Sequence, residues 1–466
     1  MRSRARLVKP SPMSRFPLFL AESKALSSLS IPIILSQLAY SLLGVIDTLM
    51  SGHAGATEQA AVALGVAFWF PIFLTLMSVV QALSPMVAHH HGAGDNRAIV
   101  HDTQNAIWLA LVLSVLSLAL LPLVRPILHW AQITPALADK TMLFLWGAMF
   151  GMPAALLFRA LAFYSASINR PKPMMYLAFA ALGFNALFNW LLIWGHWGLP
   201  ALGGAGCGWA SAIGMWISLA AMAVWTIVSP DYRACYIWRD WQRPQWLTQR
   251  SLLRIGLPMG GAALAEVGAF TSVAVFIGRF GAEQIAAHQI ALNVASLLFM
   301  LPMGLAASTT IRVSQHLGSG EPRRARFAAW TSILLGLIIA CLAIPAILLG
   351  RDAIVAGFST DEGVRGIASR LILFAALWQL VDATQVIAVG ALRGYKMTLW
   401  PMLVMFVAFW GVGLPLGTVL GYYGVAGSGP LGVYGFWSGL VTGLFLAAIG
   451  LTFGLRKVAW GHVRGG

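Results

Sequence analysis

The chain has 466 residues, of which 59% are hydrophobic and only 10% are charged. Soluble globular domains carry about 25% charged residues, so this composition excludes an ordinary water-soluble fold and predicts a protein embedded in a lipid bilayer. Nucleic acid is not an expected partner despite the net charge of +15, because the basic residues follow one side of the predicted membrane. The cysteines Cys207, Cys235 and Cys341 are too far apart to indicate a disulfide framework or a zinc site.

Apolar stretches of about 20 residues, enough to cross a hydrocarbon core of about 30 Å as a helix, recur along the whole chain. Twelve such helices are predicted, at residues 28–50, 60–84, 103–124, 141–163, 173–195, 205–229, 252–277, 285–309, 327–349, 367–391, 399–422 and 431–455. The predicted fold class is an all-α integral membrane protein. Residues 1–27 precede the helices, and because no small-residue cleavage site follows a short apolar core there, we expect a retained cytoplasmic arm.

Basic residues are distributed unequally between the two sides of the predicted membrane. If the N-terminus is cytoplasmic, the few basic residues in outward-facing segments are Arg125, Lys140, Arg279, Arg351, Arg365 and Arg370. The positive-inside rule therefore predicts that both termini are cytoplasmic. The Trp- and Arg-rich linker at 231–251 resembles a segment that lies among lipid headgroups, and a regulatory or partner-binding site is the alternative.

The second half of the chain repeats the first at a shift of 226 residues. The pairs that superpose include Pro32 and Pro258, Gly52 and Gly278, Gly55 and Gly281, Gly92 and Gly318, and Arg97 and Arg323. Because each half has an even number of helices, both halves enter the membrane from the same side and form parallel repeats. We expect two six-helix bundles, at 28–230 and 252–455, around a central cavity, followed by a cytoplasmic tail at 456–466.

Acidic residues fall within the predicted helices at Asp47, Glu266 and Asp382. A carboxylate in hydrocarbon is costly and marks a functional site by default, although a buried structural pair is the alternative for each. The helix rise places Glu266 about 18 Å outward of Arg254 and Asp382 about 16 Å outward of Arg393, so the two acids can share one level near the midplane. Asp47 corresponds through the repeat to Val273 and lies further outward.

Polar residues near Asp47 suggest a second site. Asn185 and Asn189 stand four residues apart on one helical face, and Ser211 is on the next helix. With Asp47 they could form an oxygen-rich cage for sodium, while hydrogen bonding between helices is an equal alternative. Arg159 is the only basic residue expected at similar depth, as a counter-ion or a packing residue. Buried carboxyl groups with so few cationic partners favour the neutral form and can take up and release protons.

Other residues that suggest chemistry have simpler interpretations. His89, His90 and His91 are consecutive, would point in different directions on a helix, and are expected in a loop at the headgroup level. The glycines of 203–208 follow a membrane helix and not a strand, so no dinucleotide site is expected. Phe270, on the seventh helix, could line a substrate pocket or pack between helices.

Several short motifs resemble those of the multidrug and toxic compound extrusion family, in particular its NorM branch. They are Val45-Ile46-Asp47-Thr48-Leu49-Met50 with Gly52, Leu264-Ala265-Glu266, Ala286-Ala287-His288-Gln289, Asp382-Ala383-Thr384-Gln385 and Ala391-Leu392-Arg393-Gly394. The similarity covers residues 28–455. It implies an antiporter of the bacterial inner (plasma) membrane that exports amphipathic cationic drugs and dyes in exchange for protons or sodium, and so contributes to antibiotic resistance.

The resemblance also implies roles for individual residues. The cation-coupling positions are Glu266, Asp382 and Asp47, and those linked to substrate contact are Asp47, Gln289 and Asp361. His288 stands where relatives often have Gln. Asn189 stands where some relatives carry an acid, which weakens the case for a sodium cage in the first half.

The expected function is therefore that of a cation-coupled antiporter. We expect no enzyme activity, no cofactor and no metal other than a coupling sodium ion. The expected partners are small organic cations and the lipid bilayer, and a monomer is expected. A flippase for lipid-linked saccharides is the alternative among transporters, although it would need Arg and Lys to hold pyrophosphate. A membrane-embedded enzyme or receptor is the alternative of another class, although no nucleophile–base pair lies in the predicted helices.

Overall fold

The computed structural model describes residues 15–424 and 429–465. Its α-helices are α1 (Arg15–Ala54), α2 (Ala56–Val80), α3 (Leu83–Ala93), α4 (Asn96–Leu120), α5 (Val124–Trp130), α6 (Pro135–Phe150), α7 (Met152–Ser167), α8 (Lys172–Trp194), α9 (Ala205–Val228), α10 (Trp246–Ile277), α11 (Ala282–Gly318), α12 (Pro322–Phe358), α13 (Glu362–Gly394), α14 (Leu399–Phe406), α15 (Leu414–Tyr422) and α16 (Val433–Gly465). They form 12 spans long and apolar enough to cross a membrane, which confirms the predicted number. Residues 1–14 of the predicted arm and residue 466 of the predicted tail lie outside the described residues.

Four of the spans consist of two helical pieces. The pairs are α2 with α3, α4 with α5, α6 with α7, and α14 with α15. In the last pair the two pieces are joined by a π-helical segment, Val407–Gly413. Glycines let α16 pack closely here, since a Cβ on Gly439 would lie 2.5 Å from the Gly413 carbonyl oxygen. Any larger side chain at position 439 would push α16 away from the π-helical segment.

Several helices extend beyond the predicted apolar stretches. Helix α1 begins at Arg15, so residues 15–27 of the predicted arm are helical, and α16 continues to Gly465 through the predicted tail. Helix α10 begins at Trp246, within the predicted linker. Hydropathy marks only the part of a helix that needs hydrocarbon, whereas the backbone hydrogen bonds of a helix can continue into the headgroup layer.

The prediction of a loop at the three consecutive histidines was wrong. His89, His90 and His91 belong to α3, which ends at Gly94 with a left-handed backbone (φ 72°). The predicted helix ended too early because its end was placed where the polar residues begin, whereas the helix actually ends at this glycine.

The helices form two lobes, each with its own hydrophobic core. The core of the first lobe is built mainly from α2 to α9, and that of the second lobe mainly from α10 to α16. Helix α1 packs against α8 of the first lobe and against α11 of the second. The two sequence repeats are therefore two structural units that meet at α1, α2 and α3 on one side and at α10 and α11 on the other.

The lobes approach each other closely at a crossing of α3 with α11, on the side of the membrane that carries the linker. A Cβ on Gly92 would lie 2.0 Å from the Gln315 carbonyl oxygen, and one on Gly318 would lie 1.9 Å from the His89 carbonyl oxygen. Both the glycines and the residues they contact are repeat pairs, at the same shift of 226 residues. The crossing, which we call the glycine crossing, therefore lies on the axis that relates the lobes.

Polar contacts reinforce the glycine crossing. Arg312 of α11 donates to both carboxylate oxygens of Glu22 of α1, each at 2.8 Å, and the Gln315 side chain donates to a carbonyl oxygen at the end of α7. Within the described ranges, the outermost hydrogen bond between the lobes joins Gln37 to the Met303 sulfur at 3.7 Å. The lobes are thus closed on the linker side of this contact.

The linker is attached to the first lobe. The Tyr164 hydroxyl donates to the Cys235 carbonyl at 2.6 Å, and the backbone N–H of Gln245 donates to Asn105 Oδ1 at 2.8 Å. Burial raises the pKa of Tyr232, so its hydroxyl stays protonated beside Ser165 at neutral pH. Helix α10 follows directly after the last of these contacts.

Candidate cation and substrate sites

The second lobe contains a pair of acids, as the sequence predicts. Asp382 of α13 is 2% exposed, and its Oδ2 atom is buried without a hydrogen-bond partner among the described residues. Glu266 of α10 is half-buried, and its carboxyl group is close enough to that of Asp382 for the two to interact by charge. We call Glu266 and Asp382 the acid pair.

Besides Arg159, the one basic residue that the sequence predicts near the depth of the acids, a second arginine influences the acid pair. Arg393, at the inner end of α13, also interacts with Glu266 by charge, although the two do not form a direct ion pair. A long arginine side chain can extend along its helix, so the depth of its Cα atom is a poor guide to the depth of its charge. Arg393 also donates to Gln81 Oε1 of the first lobe at 3.4 Å, and so joins the acid pair to the contact between the lobes.

Aromatic rings cover the acid pair on the side away from the linker. Phe270 lies one helical turn beyond Glu266 and contacts Trp378, with ring centroids 5.5 Å apart. Phe409 and Trp437 extend the cluster, at 5.9 Å from Phe270 and 5.8 Å from Trp378 respectively. Of the two interpretations of Phe270, the structure shows packing between helices in a layer directly above the acids.

His288 and the predicted substrate-contact residues Gln289 and Asp361 have separate positions in the structure. His288 is fully buried, and its Nδ1 atom accepts a hydrogen bond from Trp437 at 3.1 Å, a contact that no sequence signal indicates. Gln289 is exposed on α11. Asp361 is also exposed and caps α13 by accepting from the Val364 N–H at 2.8 Å. Because α11 begins at Ala282 and α13 begins at Glu362, Gln289 and Asp361 lie near the outer ends of these helices, away from the acid pair.

Asp47 lies in a hydrogen-bonded network of the first lobe, together with the residues predicted to join it. Asn189 donates to Asp47 Oδ1 at 2.7 Å, and Ser211 donates to Oδ2 at 3.3 Å. Asn185 accepts from Asn189 and donates to Ser211, each at 3.2 Å. Two helices thus supply amide and hydroxyl donors that compensate the charge of a half-buried carboxylate.

Arg159 is separate from both acidic sites. Its guanidinium group lies over the Tyr40 ring, 4.4 Å from the centroid, and donates to Gln37 Oε1 at 3.4 Å. Among the described residues it forms no ion pair with a carboxylate, so it is not the counter-ion of Asp47.

The glycines of 203–208 serve helix packing. A Cβ on Gly208 would lie 2.3 Å from the Phe144 carbonyl oxygen, and the Gly204 N–H donates to Glu58 Oε2 at 2.7 Å.

The described residues contain no group of His, Cys, Asp or Glu that could hold a metal ion.

Two parallel-repeat lobes that each hold acidic side chains within membrane-spanning helices are typical of a secondary membrane transporter. The chain belongs to the MatE family, whose model matches residues 32–191 in the first lobe and 258–419 in the second. Similar curated proteins cover almost its whole length. It is 39% identical over 441 residues to the probable multidrug resistance protein NorM of Chromobacterium violaceum (94% of this chain, 95% of that protein). It is 41% identical over 454 residues to the multidrug resistance protein PmpM of Pseudomonas aeruginosa (97% and 95%).

A solved structure shares the fold. The crystal structure of the eukaryotic MATE transporter AtDTX14 superposes with a TM-score of 0.83 at 20% identity, covering 95% of this chain and 98% of that chain. The family membership and the near full-length relatives together identify a multidrug efflux transporter of the MATE family.

Proposed function

We propose that the protein is a cation-coupled antiporter that exports amphipathic organic cations from the cytoplasm across the bacterial inner membrane. The acid pair is the observation that carries this proposal. Asp382 is fully enclosed, one of its oxygens has no partner among the described residues, and Glu266 adds a second carboxyl group. Burying an uncompensated charge costs several kcal/mol, so the pair favours a bound proton or sodium ion that is exchanged in each cycle.

The orientation follows from the basic residues. We place both termini and the linker in the cytoplasm, in agreement with the positive-inside rule. The glycine crossing then closes the cytoplasmic side, and the cavity between the lobes opens outward. An ion that enters from outside and occupies the acid pair allows the lobes to rotate and open inward. Each elementary charge that crosses gains about 2.3 kcal/mol per 100 mV of membrane potential, which sets the available driving force.

Asp47 is proposed to receive the cationic group of the substrate. Its carboxylate is half-buried, is held in place by Asn189 and Ser211, and lies outward of the glycine crossing. A substrate cation and a coupling ion would then occupy different lobes. Their competition would act through the movement of the lobes and not through direct displacement at one site.

The experiment is ethidium efflux from vesicles with an imposed proton gradient or an imposed sodium gradient. Efflux should follow one of the two gradients, and Glu266→Gln should abolish it while the expression level and melting temperature are retained. Glu362→Gln is the matched control, because Glu362 is exposed at the start of α13. Normal efflux by the Glu266→Gln variant would refute the role of the acid pair.

A further inference from the structure

Arg159 is a buried cation that the antiport cycle described above does not use. Its side chain is only 9% exposed, and its contacts are the face of the Tyr40 ring and one oxygen of Gln37. The ion pairs of the described ranges use other cations. The penalty for burying an ion generally exceeds what a single cation–π contact returns, so Arg159 has more positive charge than its neighbours compensate.

The polar groups around Arg159 are mostly donors. A guanidinium group has five N–H donors, and a single one of them finds an oxygen among the described residues. The Tyr40 hydroxyl is also buried without a hydrogen-bond partner among those residues. A fixed positive charge with a neighbouring O–H donor and few acceptors is the chemistry that binds a carboxylate.

The repeat gives this site a counterpart of opposite charge in the second lobe. Helices α1 and α7 correspond to α10 and α13, and Tyr40 occupies the position that matches Glu266. Arg159 itself matches Gln385, three residues from Asp382, so the first lobe has a cation within about one helical turn of the place where the second lobe has the acid pair. Gln37 contacts both Arg159 and Met303 of the second lobe, so Arg159 lies one side chain away from the surface along which the lobes separate.

Asp47 lies on the same face of α1 as Tyr40. The two residues are seven positions apart, which is two helical turns and about 10 Å along the helix axis. The first lobe thus has a positive group, Arg159 over the Tyr40 ring, and a negative group, Asp47, separated along α1 by about two turns. A molecule with both charges would match this arrangement better than a simple cation.

We propose that Arg159 binds the anionic group of zwitterionic amphipathic substrates, with the Tyr40 hydroxyl as a second donor, while Asp47 binds their cationic group. The assignment rests on the proposed export function and names the residues of the first lobe that would hold the carboxylate of a substrate with both charges. Arg159 contacts the substrate directly in this proposal, when the separation of α1 from α11 exposes it to the cavity.

The test uses two dyes that share one chromophore. Rhodamine 110 carries a free carboxylate, and rhodamine 123 is its methyl ester. Transport of both is measured in proteoliposomes driven by the gradient that supports ethidium efflux. Arg159→Gln should lower rhodamine 110 transport by roughly 10-fold or more and leave rhodamine 123 within about 2-fold. Arg125→Gln, at an exposed ion pair, is the matched control and should change neither dye.

Further variants guard against a folding defect. Arg159→Lys keeps the charge and should retain much of the selectivity for rhodamine 110, and Tyr40→Phe keeps the ring and should lose part of it. Equal losses for both dyes in Arg159→Gln, or no loss for either, would overturn the proposal. So would a wild-type protein that transports rhodamine 123 but not rhodamine 110. A wild-type protein that transports neither rhodamine 123 nor ethidium would instead contradict the export function.

Discussion

Replacing Gly318 by alanine should shift the protein towards the state in which the lobes are separated on the linker side. The added Cβ would lie 1.9 Å from the His89 carbonyl oxygen and 3.1 Å from the Ala93 nitrogen. Both are backbone atoms of α3, which cannot move aside without moving the helix. The closed crossing is therefore penalised, whereas the separated state can accommodate the methyl group.

The size of the shift follows from the cost of overpacking, which is typically about 1–3 kcal/mol. Alanine also favours a helix over glycine by about 1 kcal/mol, but this gain applies in both states and leaves their balance unchanged. A difference of about 1–3 kcal/mol changes a two-state equilibrium by about 5–150-fold. Gly92→Ala should act in the same way through the Gln315 carbonyl, and the double variant should be less than additive because both changes act on one crossing.

Pulsed electron paramagnetic resonance measures this shift directly. Spin labels at Arg97→Cys and Arg323→Cys, in a background without the native cysteines, report the distance between the lobes near the crossing, because both residues are exposed at matching positions of the repeat. The Gly318→Ala variant should gain a population at longer distance.

The control for the added methyl group is Gly183→Ala. Gly183 lies in α8, and no neighbouring atom would be within 4 Å of its Cβ. This variant should keep the wild-type distance distribution. If Gly318→Ala and Gly92→Ala also kept that distribution while remaining folded, the crossing would not be the contact that holds the linker side closed.

Three further changes test the contacts around the sites. Glu22→Gln should leave Arg312 without its carboxylate partner and destabilise the state closed on the linker side by up to about 3 kcal/mol. It should therefore increase the same population at longer distance between the spin labels. Asn189→Leu should remove the shortest donor to Asp47 and lower organic cation efflux by roughly 10-fold in a folded protein, as measured with ethidium. Tyr164→Phe should lower the free energy of unfolding by about 1–3 kcal/mol, seen as a lower melting temperature, because a linker carbonyl loses its buried partner.

The sequence was sufficient for the features that depend on hydropathy and on single costly residues. Twelve apolar stretches gave the number of spans. Acids are so unfavourable in hydrocarbon that Glu266 and Asp382 could be paired from their depths alone. The spacing of Asn185 and Asn189 placed both amides on one face of α8, next to Asp47.

Features that depend on side-chain reach or on contact between the lobes could not be predicted in this way. The charge of Arg393 reaches Glu266 because of its long side chain, which a count of helical rise omits. The repeat aligned Gly92 with Gly318, but an alignment does not show that Gly92 packs against α11 and Gly318 against α3. The bond between His288 and Trp437 joins helices far apart in the chain and has no local pattern.

The attachment of the linker limits how the two lobes can move. Gln245 is bonded to Asn105 of α4, and α10 begins at the next residue, so almost no slack chain separates the lobes at this corner. Sliding of one lobe along the other would break the hydrogen bond between Gln245 and Asn105, whereas rotation about the start of α10 would leave it intact. We therefore expect the lobes to open by rotating about the start of α10.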